Sequence, residues 1–450
     1  MANSQRTEEL LKADLMHIIR PGLMVGQHME AVLEKAHGIM VVDTEGKEYI
    51  DVSSQLMCCN LGHGQKEIQD AIIEAVTTTD YTTLFYGWCS PLSIECGRKL
   101  AEITPGDLNH FYFTCGGSES IDSAIKIARL FWHNKDKSSK YRIISLDTSY
   151  HGLSGISNYA TGLGRGLSKK GFGPEAIGFL HIPSFYCYRC AFGAKYPDCD
   201  MLCARFLKHV IESEGADSIA AFLAEPIQGS GGIIDPPPEY WPIVRKICTD
   251  YNILLMADEV MSGFARTGKM FAIEHYDAKP EIMTMAKGIT GAYIPFGAVA
   301  VSDDVYEGLK DKPFMHGFTY CGHPIGCAAA VAAIDMYVKH KVVDNAARVG
   351  SHIRQRLEAE FLPLPCIGNI GGKGMFQAME LVSDKESKTP IDKSAKEALE
   401  VKLREAGIFT RILGVNGNRF VICPPCIMTI EEADRMLDII KPLLAELKPQ

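Results

Sequence analysis

Two residues that could do chemistry stand at the ends of short apolar runs in one stretch of the sequence. The run that begins at Ile253 leads to Asp258, and the run "EIMTMA" leads to Lys287. Each run is too short for a helix and has the length of a buried strand. We therefore expect both side chains at the ends of neighbouring strands, on the rim of one sheet, where ligands commonly bind.

Two kinds of chemistry fit this pair. Asp258 and Lys287 could form a buried ion pair with a purely structural role. Alternatively, a lysine in a partly desolvated site loses its proton more readily and can form a Schiff base with an aldehyde cofactor. An aspartate nearby can keep a pyridine nitrogen protonated, so that the ring of such a cofactor withdraws electrons. The pair alone leaves both interpretations open.

A second stretch has the pattern of an anion site. The β-rich run "HFYFT" is followed by "CGGSES", in which Gly117 and Ser118 precede an amphipathic pattern. A helix that starts there directs free backbone N–H groups and its positive dipole end at the loop above. A phosphate group fits that position. The alternative is a simple serine N-cap after a glycine loop, without any ligand.

The composition argues against several other classes of function. The net charge of −9 is modest and no basic run occurs, which disfavours nucleic acid or an anionic membrane as a partner. No apolar run approaches the roughly 20 residues of a membrane span. The stretch from Met1 to Gly22 mixes acids with bases, so we expect neither a signal nor a transit peptide. Fifteen cysteines in 450 residues without an export signal fit reduced thiols, and we predict a cytoplasmic protein.

Further motifs surround the Asp258 and Lys287 pair. "LAEPIQGSGG" precedes it and "HGFTYCGHP" follows it. Together these motifs resemble those of the class III aminotransferases, in particular the pyruvate-type omega-aminotransferases. These are fold type I enzymes that use pyridoxal 5'-phosphate (PLP). The resemblance runs from about Asp14 to the C-terminus.

The resemblance implies roles for residues around the cofactor. Lys287 would hold PLP as a Schiff base and move the substrate proton, while Asp258 would supply the electron sink. The phosphate would bind at Gly117 and Ser118, although the preceding residues, Cys115 and Gly116, depart from the family's usual pattern. The resemblance assigns the cofactor site to Gly117, Ser118, Tyr150, Glu225, Asp258, Val260, Lys287 and Thr319.

Three of these assignments have a specific form. The family's residue at Tyr150 stacks on the PLP ring, and the residue at Glu225 braces the cofactor-binding aspartate. His151, beside Tyr150, is given no role in proton transfer. The threonine at Thr319 reaches across a dimer interface to the partner subunit's phosphate. The resemblance therefore implies a homodimer, with a tetramer as an open possibility.

The substrate pocket is also assigned by resemblance. Arg411 would bind a substrate carboxylate and swing aside for an uncharged amine. Met57 stands where related omega-aminotransferases have a tryptophan, which makes the pocket more adaptable. Ser230 and Met261 replace the Glu and Gln of the enzymes that act on ornithine and GABA, which disfavours those donors. The assigned substrate-binding residues are Arg411, Met57, Ile19 and Tyr86.

A cysteine cluster raises the question of a metal. The segment "CYRCAFGAKYPDCDMLC" holds Cys187, Cys190, Cys199 and Cys203, and four thiolates suffice for a closed zinc site. The first pair has the spacing of a zinc knuckle, whereas the second pair fits less well. Comparable insertions in some omega-aminotransferases take no part in the chemistry. We therefore expect no metal in the catalytic site, and zinc binding by the cluster remains an alternative.

These observations combine into one prediction of fold and function. The alternation of strands and helices predicts an α/β fold, and the resemblance implies PLP-dependent fold type I. A mainly parallel sheet covered by helices forms the large domain, beside a small α+β domain. The predicted boundaries are 1–65 for an N-terminal segment that joins the small domain, 66–330 for the large PLP-binding domain and 331–450 for the C-terminal small domain.

The predicted activity is ping-pong transamination to pyruvate. The donor could be taurine, β-alanine, a diamine or an arylalkyl amine, and the sequence does not choose among them. Another fold type I reaction is the main alternative: an aminomutase, an epimerase or a decarboxylase. A non-catalytic PLP-binding protein is a further alternative, which the intact pair of Asp258 and Lys287 disfavours.

Overall fold

The computed structural model describes residues 4–29, 31–164, 169, 171–174 and 176–447. The strands within them are β1 (Leu33–His37), β2 (Met40–Asp43), β3 (Glu48–Asp51), β4 (Leu108–Thr114), β5 (Arg142–Leu146), β6 (Phe179–Ile182), β7 (Ile219–Ala224), β8 (Leu254–Asp258), β9 (Ile282–Met285), β10 (Gly297–Ser302), β11 (Ile367–Lys373), β12 (Phe376–Asp384), β13 (Thr389–Pro390), β14 (Ile408–Phe409), β15 (Ile412–Leu413) and β16 (Arg419–Ile422).

The helices of the described residues are α1 (Gln5–His17), α2 (Ser54–Met57), α3 (Lys66–Thr78), α4 (Pro91–Ile103), α5 (Gly117–Asn134), α6 (Gly155–Ala160), α7 (Leu202–Glu214), α8 (Tyr240–Asp250), α9 (Asp303–Leu309), α10 (Pro324–Lys339), α11 (Val342–Arg356), α12 (Lys393–Glu405) and α13 (Ile430–Ala445). In the part of the chain that is described, none of them has the length and apolar character needed to cross a membrane.

A seven-stranded sheet lies at the centre, in the order β4-β10-β9-β8-β7-β5-β6. Strands β9, β8, β7, β5 and β6 are parallel, whereas β10 is antiparallel to both β9 and β4. Every residue of β7, β8, β9 and β10 is buried. Strands covered on both faces are apolar throughout, which explains their continuous apolar sequences. The predicted mainly parallel sheet is confirmed.

Helices cover this sheet on both faces. Successive side chains of β7 point to opposite faces. Ala221 and Leu223 belong to the core that also contains Ile125 of α5. Phe222 belongs to the other core, with Leu207 of α7. Burying one side chain of this size contributes about 1.5–3 kcal/mol, so the two cores hold the strand ends firmly in place.

The N-terminal and C-terminal parts of the chain meet in a separate small sheet, β1-β2-β3-β14. Strands β2 and β3 form an antiparallel hairpin around Glu45, in which Met40 pairs with Ile50. Strand β14 is parallel to β3, and Ile408 pairs with Ile50. A further sheet has the order β11-β12-β16-β15, with β13 paired to β12.

One predicted domain boundary lies between secondary-structure elements and the other lies inside a helix. The first, at residue 65, lies directly before α3. The second, at residue 330, falls inside α10, which packs against α3 and α4, so a continuous helix crosses it. The pairing of β3 with β14 favours an N-terminal segment that joins the C-terminal part. The division into domains stays a prediction.

Candidate active site

The two residues singled out first lie on neighbouring strands. Asp258 is the last residue of β8, and Lys287 follows β9 by two positions. The two strands are parallel and Asp258 pairs with Thr284, so both side chains emerge at the same edge of the sheet. The placement predicted from the two apolar runs is confirmed.

The backbone at the lysine is tightly constrained. Lys287 has φ of +47°, in the left-handed region that L-residues other than glycine rarely adopt. The next residue, Gly288, has no room for a side chain, because a Cβ there would lie 2.6 Å from Nδ2 of Asn60. Asn60 in turn donates from Nδ2 to the carbonyl of Phe264 at 2.7 Å. The turn that carries Lys287 is therefore fixed from both sides.

The environment of Lys287 favours its neutral form. Burial lowers the pKa of the Lys287 ammonium below its ordinary value, and the negative charges of Cys58, Asp258 and Glu225 oppose that shift. The net shift is downward, so desolvation dominates. An amine with a lowered pKa has a larger nucleophilic fraction at neutral pH.

Asp258 is held by three donors. Its Oδ1 accepts the backbone N–H of Val260 at 3.0 Å and the hydroxyl of Thr284 at 3.3 Å. Its Oδ2 lies 2.7 Å from Nδ1 of His151, and both side chains are buried. Because a carboxylate only accepts, His151 donates from Nδ1. The imidazole therefore fixes the carboxylate that the sequence predicted to act on a cofactor.

From the sequence, His151 was given no role in proton transfer, and its contact with Asp258 is the main functional feature that was missed. It follows β5, which is separated from β8 by β7 in the sheet. The signal was its position five residues after the buried run "IISL" of β5, since residues that follow parallel strands lie at one edge of the sheet. Its Nε2 is buried and has no hydrogen-bond partner among the residues that the structure describes.

Glu225 lies close to this pair but has different partners. Its Oε2 accepts the backbone N–H of Tyr150 at 3.2 Å, and its Oε1 accepts that of Gly229 at 3.0 Å. Burial raises the pKa of Glu225 to about 7, with His151 opposing the shift and Asp258 adding to it. Glu225 thus fixes the loops on either side, and His151 rather than Glu225 is hydrogen-bonded to Asp258.

The N-terminus of α5 forms a cradle at the same edge of the sheet. Gly116 occupies the N-cap position, and no side chain of the described residues caps the helix. The first N–H groups of the helix are therefore free to bind an anion. A Cβ at Gly117 would lie 2.7 Å from Cγ1 of Val260, and one at Gly152 would overlap the side chain of Ser118. Glycine at both positions lets the backbone approach closely.

These groups surround one cavity of about 150 Å³. The residues that line it are Gly117, Ser118, Tyr150, His151, Gly152, Glu225, Asp258, Val260, Met261 and Lys287. Seven of the eight predicted cofactor residues are among them. The cavity combines a helix N-terminus at one end with a buried carboxylate and a lysine, so it can hold a phosphate and a polar ring together.

The eighth predicted cofactor residue, Thr319, does not line this cavity. It is exposed, and its backbone carbonyl accepts the hydroxyl of Tyr81 at 2.8 Å. The surface around it carries exposed apolar side chains, including Met315 and Tyr320. A single chain therefore presents Thr319 outward, away from its own cofactor cavity.

The predicted substrate residues are spread more widely. Met57 is buried in a cluster with Met261 and Cys423, beside the cavity. Arg411 is exposed to solvent, yet surrounding protein lowers the pKa of its guanidinium, with Cys58 and Asp51 opposing the shift. None of the four predicted substrate residues lines the cavity itself, and Ile19 and Tyr86 are 81% and 92% exposed.

A second arginine near the small sheets has a structural role. Arg419 is 1% exposed, and it donates from Nε to the carbonyl of Gly232 at 2.6 Å and from Nη2 to that of Ile233 at 3.1 Å. Its Nη1 lies 3.4 Å from Oε2 of Glu380. The guanidinium is thus occupied and enclosed, so Arg411 remains the candidate for a substrate anion.

The four clustered cysteines lie around one small pocket between β6 and α7, and all of them are free thiols. Burial and the neighbouring thiols raise the pKa of Cys187 and of Cys203 to about 11. Among the described residues, no group of three histidine, cysteine or acidic side chains could hold a metal ion. The geometry therefore does not favour the zinc alternative.

Comparison with known proteins defines the class. The family model "Aminotransferase class-III" matches residues 24–444, and the chain belongs to this family. An omega-amino acid–pyruvate aminotransferase of Pseudomonas putida is 37% identical over 72% of this chain and 73% of its own length. A putrescine–pyruvate aminotransferase of Pseudomonas aeruginosa is 32% identical over 92% of this chain and 90% of its own.

A solved structure agrees with the sequence relatives. The (S)-enantioselective omega-transaminase of Thermomicrobium roseum superposes with a TM-score of 0.93 at 37% identity, covering 99% of both chains. The fold is therefore that of the fold type I PLP enzymes, and the protein is a PLP-dependent aminotransferase of the omega-transaminase group.

The cavity residues fit PLP on their own chemistry. The uncapped start of α5 supplies N–H donors for a dianionic phosphate. Asp258 offers a fixed carboxylate for a pyridinium N–H, and Lys287 offers an amine of lowered pKa for an aldehyde. The three features match the three polar groups of the cofactor.

Proposed function

We propose that the protein transfers an amino group from a primary amine or omega-amino acid to pyruvate by a ping-pong mechanism. The observation that carries this proposal is the meeting of Lys287, Asp258 and the start of α5 around one cavity. Candidate donors are taurine, β-alanine, a diamine and an arylalkyl amine. The donor yields an aldehyde or ketone, and pyruvate leaves as alanine.

Each cavity residue has a distinct task in this proposal. PLP, when bound, supplies an electron sink for the electron pair left at the substrate carbon. Lys287 would hold the aldehyde of the cofactor through Nζ, and its freed amine would carry the proton between the substrate carbon and C4' of the cofactor. Asp258 keeps the pyridine nitrogen protonated, and His151 holds that carboxylate in place.

The phosphate and the ring are held by other groups. Backbone N–H groups at Gly117 and Ser118 bind the phosphate at the helix N-terminus, and Val260 fills the space that Gly117 leaves open. Tyr150 would stack on the ring, and the bond from its backbone N–H to Glu225 fixes the loop that carries it. Met57, Ile19 and Tyr86 remain predicted contacts to the substrate.

In this proposal, Arg411 binds the carboxylate of the substrate. Its replacement by alanine should leave the pyruvate carboxylate unpaired and reduce kcat/KM for pyruvate by on the order of 2–4 kcal/mol in transition-state stabilisation. An uncharged arylalkyl amine should lose far less, because the arginine only has to move aside for it. The donor and acceptor half-reactions, followed separately by cofactor absorbance, report the loss for the amine and the loss for pyruvate.

Two controls sharpen the Arg411 experiment. Arg411→Lys keeps the charge but loses the bidentate fork, so it should recover only part of the pyruvate reaction. Arg435→Ala removes an exposed arginine from α13 and should change nothing. Pyruvate turnover within a factor of about three of the parent, a change near 0.7 kcal/mol, would show that Arg411 is not the anion clamp.

The active unit in this proposal is a homodimer. Thr319 points out of its own chain, and we infer that its hydroxyl completes the phosphate site of the partner subunit. Exposed apolar side chains near it support an interface, among them Tyr86, Trp88, Met315 and Tyr320. Thr319→Ala should remove one hydrogen bond to a charged group, about 1.5–3 kcal/mol, and weaken PLP binding by about 10- to 150-fold.

Mixed dimers separate sharing between subunits from action within one chain. Unfolding and refolding a mixture of Lys287→Ala and Thr319→Ala chains should yield heterodimers with one intact site, which combines Lys287 of one chain with Thr319 of the other. Their activity should be about half that of the parent dimer, because each parent dimer has two sites. No gain above the two separate homodimers would place Thr319 in its own subunit's site.

We also propose that the enzyme works in the cytoplasm. All fifteen cysteines are free thiols, which fits a reducing compartment. Cell fractionation with an antibody to the protein tests this, and enrichment in a membrane or secreted fraction would contradict it.

A panel of amines with pyruvate tests the overall activity. Alanine formation from at least one of the four donor classes is expected, and its absence with all of them would contradict the proposal. The other fold type I reactions predict different products, since a decarboxylase releases carbon dioxide and an aminomutase returns an isomer without pyruvate.

A further inference from the structure

The segment that carries Thr319 has alternating inward and outward side chains. Phe314, His316 and Phe318 are partly buried, whereas Met315 and Thr319 are exposed. Residues 313–318 have no regular secondary structure, and Thr319 begins the turn that follows them. Only two residues separate His316 from Thr319, so an anchor on His316 also restricts where Thr319 can lie.

His316 is bonded to α5 by a directed chain of hydrogen bonds. Its Nδ1 lies 3.2 Å from Nζ of Lys126, and its Nε2 lies 2.9 Å from Oγ of Ser123. The Ser123 hydroxyl donates to the backbone carbonyl of Glu119 at 2.6 Å. An ammonium only donates, so Nδ1 of His316 accepts. The hydroxyl proton is already used, so Nε2–H of His316 donates to Ser123.

This chain requires the neutral imidazole with its proton on Nε2. Rings add to the anchor: His316 is stacked on Tyr112 at a centroid distance of 5.4 Å, and Phe318 meets it edge to face at 5.1 Å. A proton on Nδ1 would remove the acceptor for Lys126 and place two positive charges together. The anchor therefore exists in one protonation state only.

We propose that His316 is a positioning residue that holds Thr319 in reach of the partner subunit's cofactor phosphate, and that its protonation releases this hold. The proposal rests on the role given above to Thr319. His316 thus supports the cofactor site without touching the cofactor or the substrate. Retention of the cofactor then depends on pH through the protonation of His316.

The charged surroundings agree with this assignment. Burial lowers the pKa of His316 below its ordinary value of 6.5, and the Lys126 ammonium adds to the shift. On α5, the carboxylate of Glu119 is turned to the backbone N–H of Cys115 at 2.7 Å. On β4, burial raises the pKa of Tyr112 far above neutrality, so its ring stays uncharged.

The direction of the pH effect follows from the lowered pKa. The unfolded chain binds more protons at this histidine than the folded chain at any pH between the lowered value and 6.5. The contribution of the anchor is therefore complete above pH 6.5 and is lost as the pH falls through that window.

The test measures how much PLP the dimer retains after gel filtration between about pH 8 and about pH 5. His316→Phe keeps the ring contacts and loses both hydrogen bonds. It should bind PLP about tenfold more weakly at neutral pH. Its remaining pH dependence should be that of the cofactor phosphate, whose second pKa is about 6. Ser123→Ala, which removes only the partner of Nε2–H, should give a smaller loss in the same direction.

Lys126→Met distinguishes a positioning role of His316 from a merely structural one, because it should shift the pH at which PLP is lost. Without the ammonium, His316 accepts a proton more readily, so the midpoint of PLP loss should shift to higher pH. His209→Gln is the matched control, since His209 is an exposed histidine of α7 that packs on Phe206. Sedimentation and thermal unfolding of each variant show whether the dimer is intact.

The possible results separate this inference from the proposed function. If Thr319→Ala retains PLP as the parent does, the shared phosphate site and this inference both fall. If Thr319→Ala loses PLP while His316→Phe retains it, or if Lys126→Met leaves the midpoint unchanged, only the role of His316 is overturned.

Discussion

Lys287→Ala should abolish turnover while leaving the fold and the proposed dimer intact. A methyl group can neither link to the cofactor aldehyde nor carry the substrate proton, so activity should fall by more than about 10⁴-fold, the upper range for one acid–base group. Folding should tolerate the change, because burial of the lysine is unfavourable for its charged form, as its lowered pKa shows. Alanine is also no more strained than lysine at the positive φ of this position. PLP should still bind, but without a covalent bond.

Borohydride reduction and peptide mapping report this result directly. The parent protein should yield one PLP-labelled peptide that contains Lys287, and the variant should yield none. Lys279→Ala, at an exposed lysine before β9, is the matched control and should keep full labelling and activity. A reducible bond in the Lys287→Ala variant would mean that another lysine holds the cofactor.

Asp258→Asn should give the second largest loss. Asparagine matches the shape of aspartate but cannot hold a proton on the pyridine nitrogen, so kcat should fall about 10³-fold, near 4 kcal/mol. The hydrogen bond from Val260 can persist, and the Nδ1 of His151 can become an acceptor if its proton moves to Nε2, which has no partner among the described residues. The loss should therefore appear in kcat rather than in folding.

An N-methylated cofactor analogue distinguishes an electronic from a structural effect. Its ring keeps a positive charge without any carboxylate, so it should restore a substantial part of the activity of Asp258→Asn. Asp277→Asn, at an exposed position, should behave as the parent. If the analogue gave no recovery while the variant still bound it, the role of Asp258 as the partner of the ring nitrogen would be wrong.

The sequence predicted the parts of the site that depend on local pattern. Asp258 and Lys287 end buried runs, and neighbouring parallel strands bring such ends to one edge, so their meeting could be expected. Gly117 and Ser118 precede an amphipathic helix, which indicates an anion site from spacing alone. These predictions needed the type of each element and no knowledge of distant contacts.

The contacts that the sequence did not predict depend on the order of strands or on packing between distant segments. His151 and Asp258, which are hydrogen-bonded, are 107 residues apart in the chain, and β7 lies between the strands that they follow. Local pattern therefore could not predict their contact. Arg419 is only eight residues from Arg411 in the sequence, but three carbonyl and carboxylate groups enclose its guanidinium. Thr319, Ile19 and Tyr86 do not line the cavity of their own chain, so their predicted roles could not be checked by local pattern.

The central claim, amino transfer through Lys287 and PLP in two separate steps, is tested most directly by a half-reaction. Purified PLP-loaded protein is mixed with an excess of a reactive amine from the panel, with no keto acid present. One equivalent of amine per site should be converted to its aldehyde or ketone as the visible cofactor band disappears, and the reaction should then stop. Pyruvate added after the excess amine has been removed by gel filtration should restore the band and give one equivalent of alanine per site. Continued amine consumption without pyruvate, release of carbon dioxide, or a band that pyruvate does not restore would contradict it.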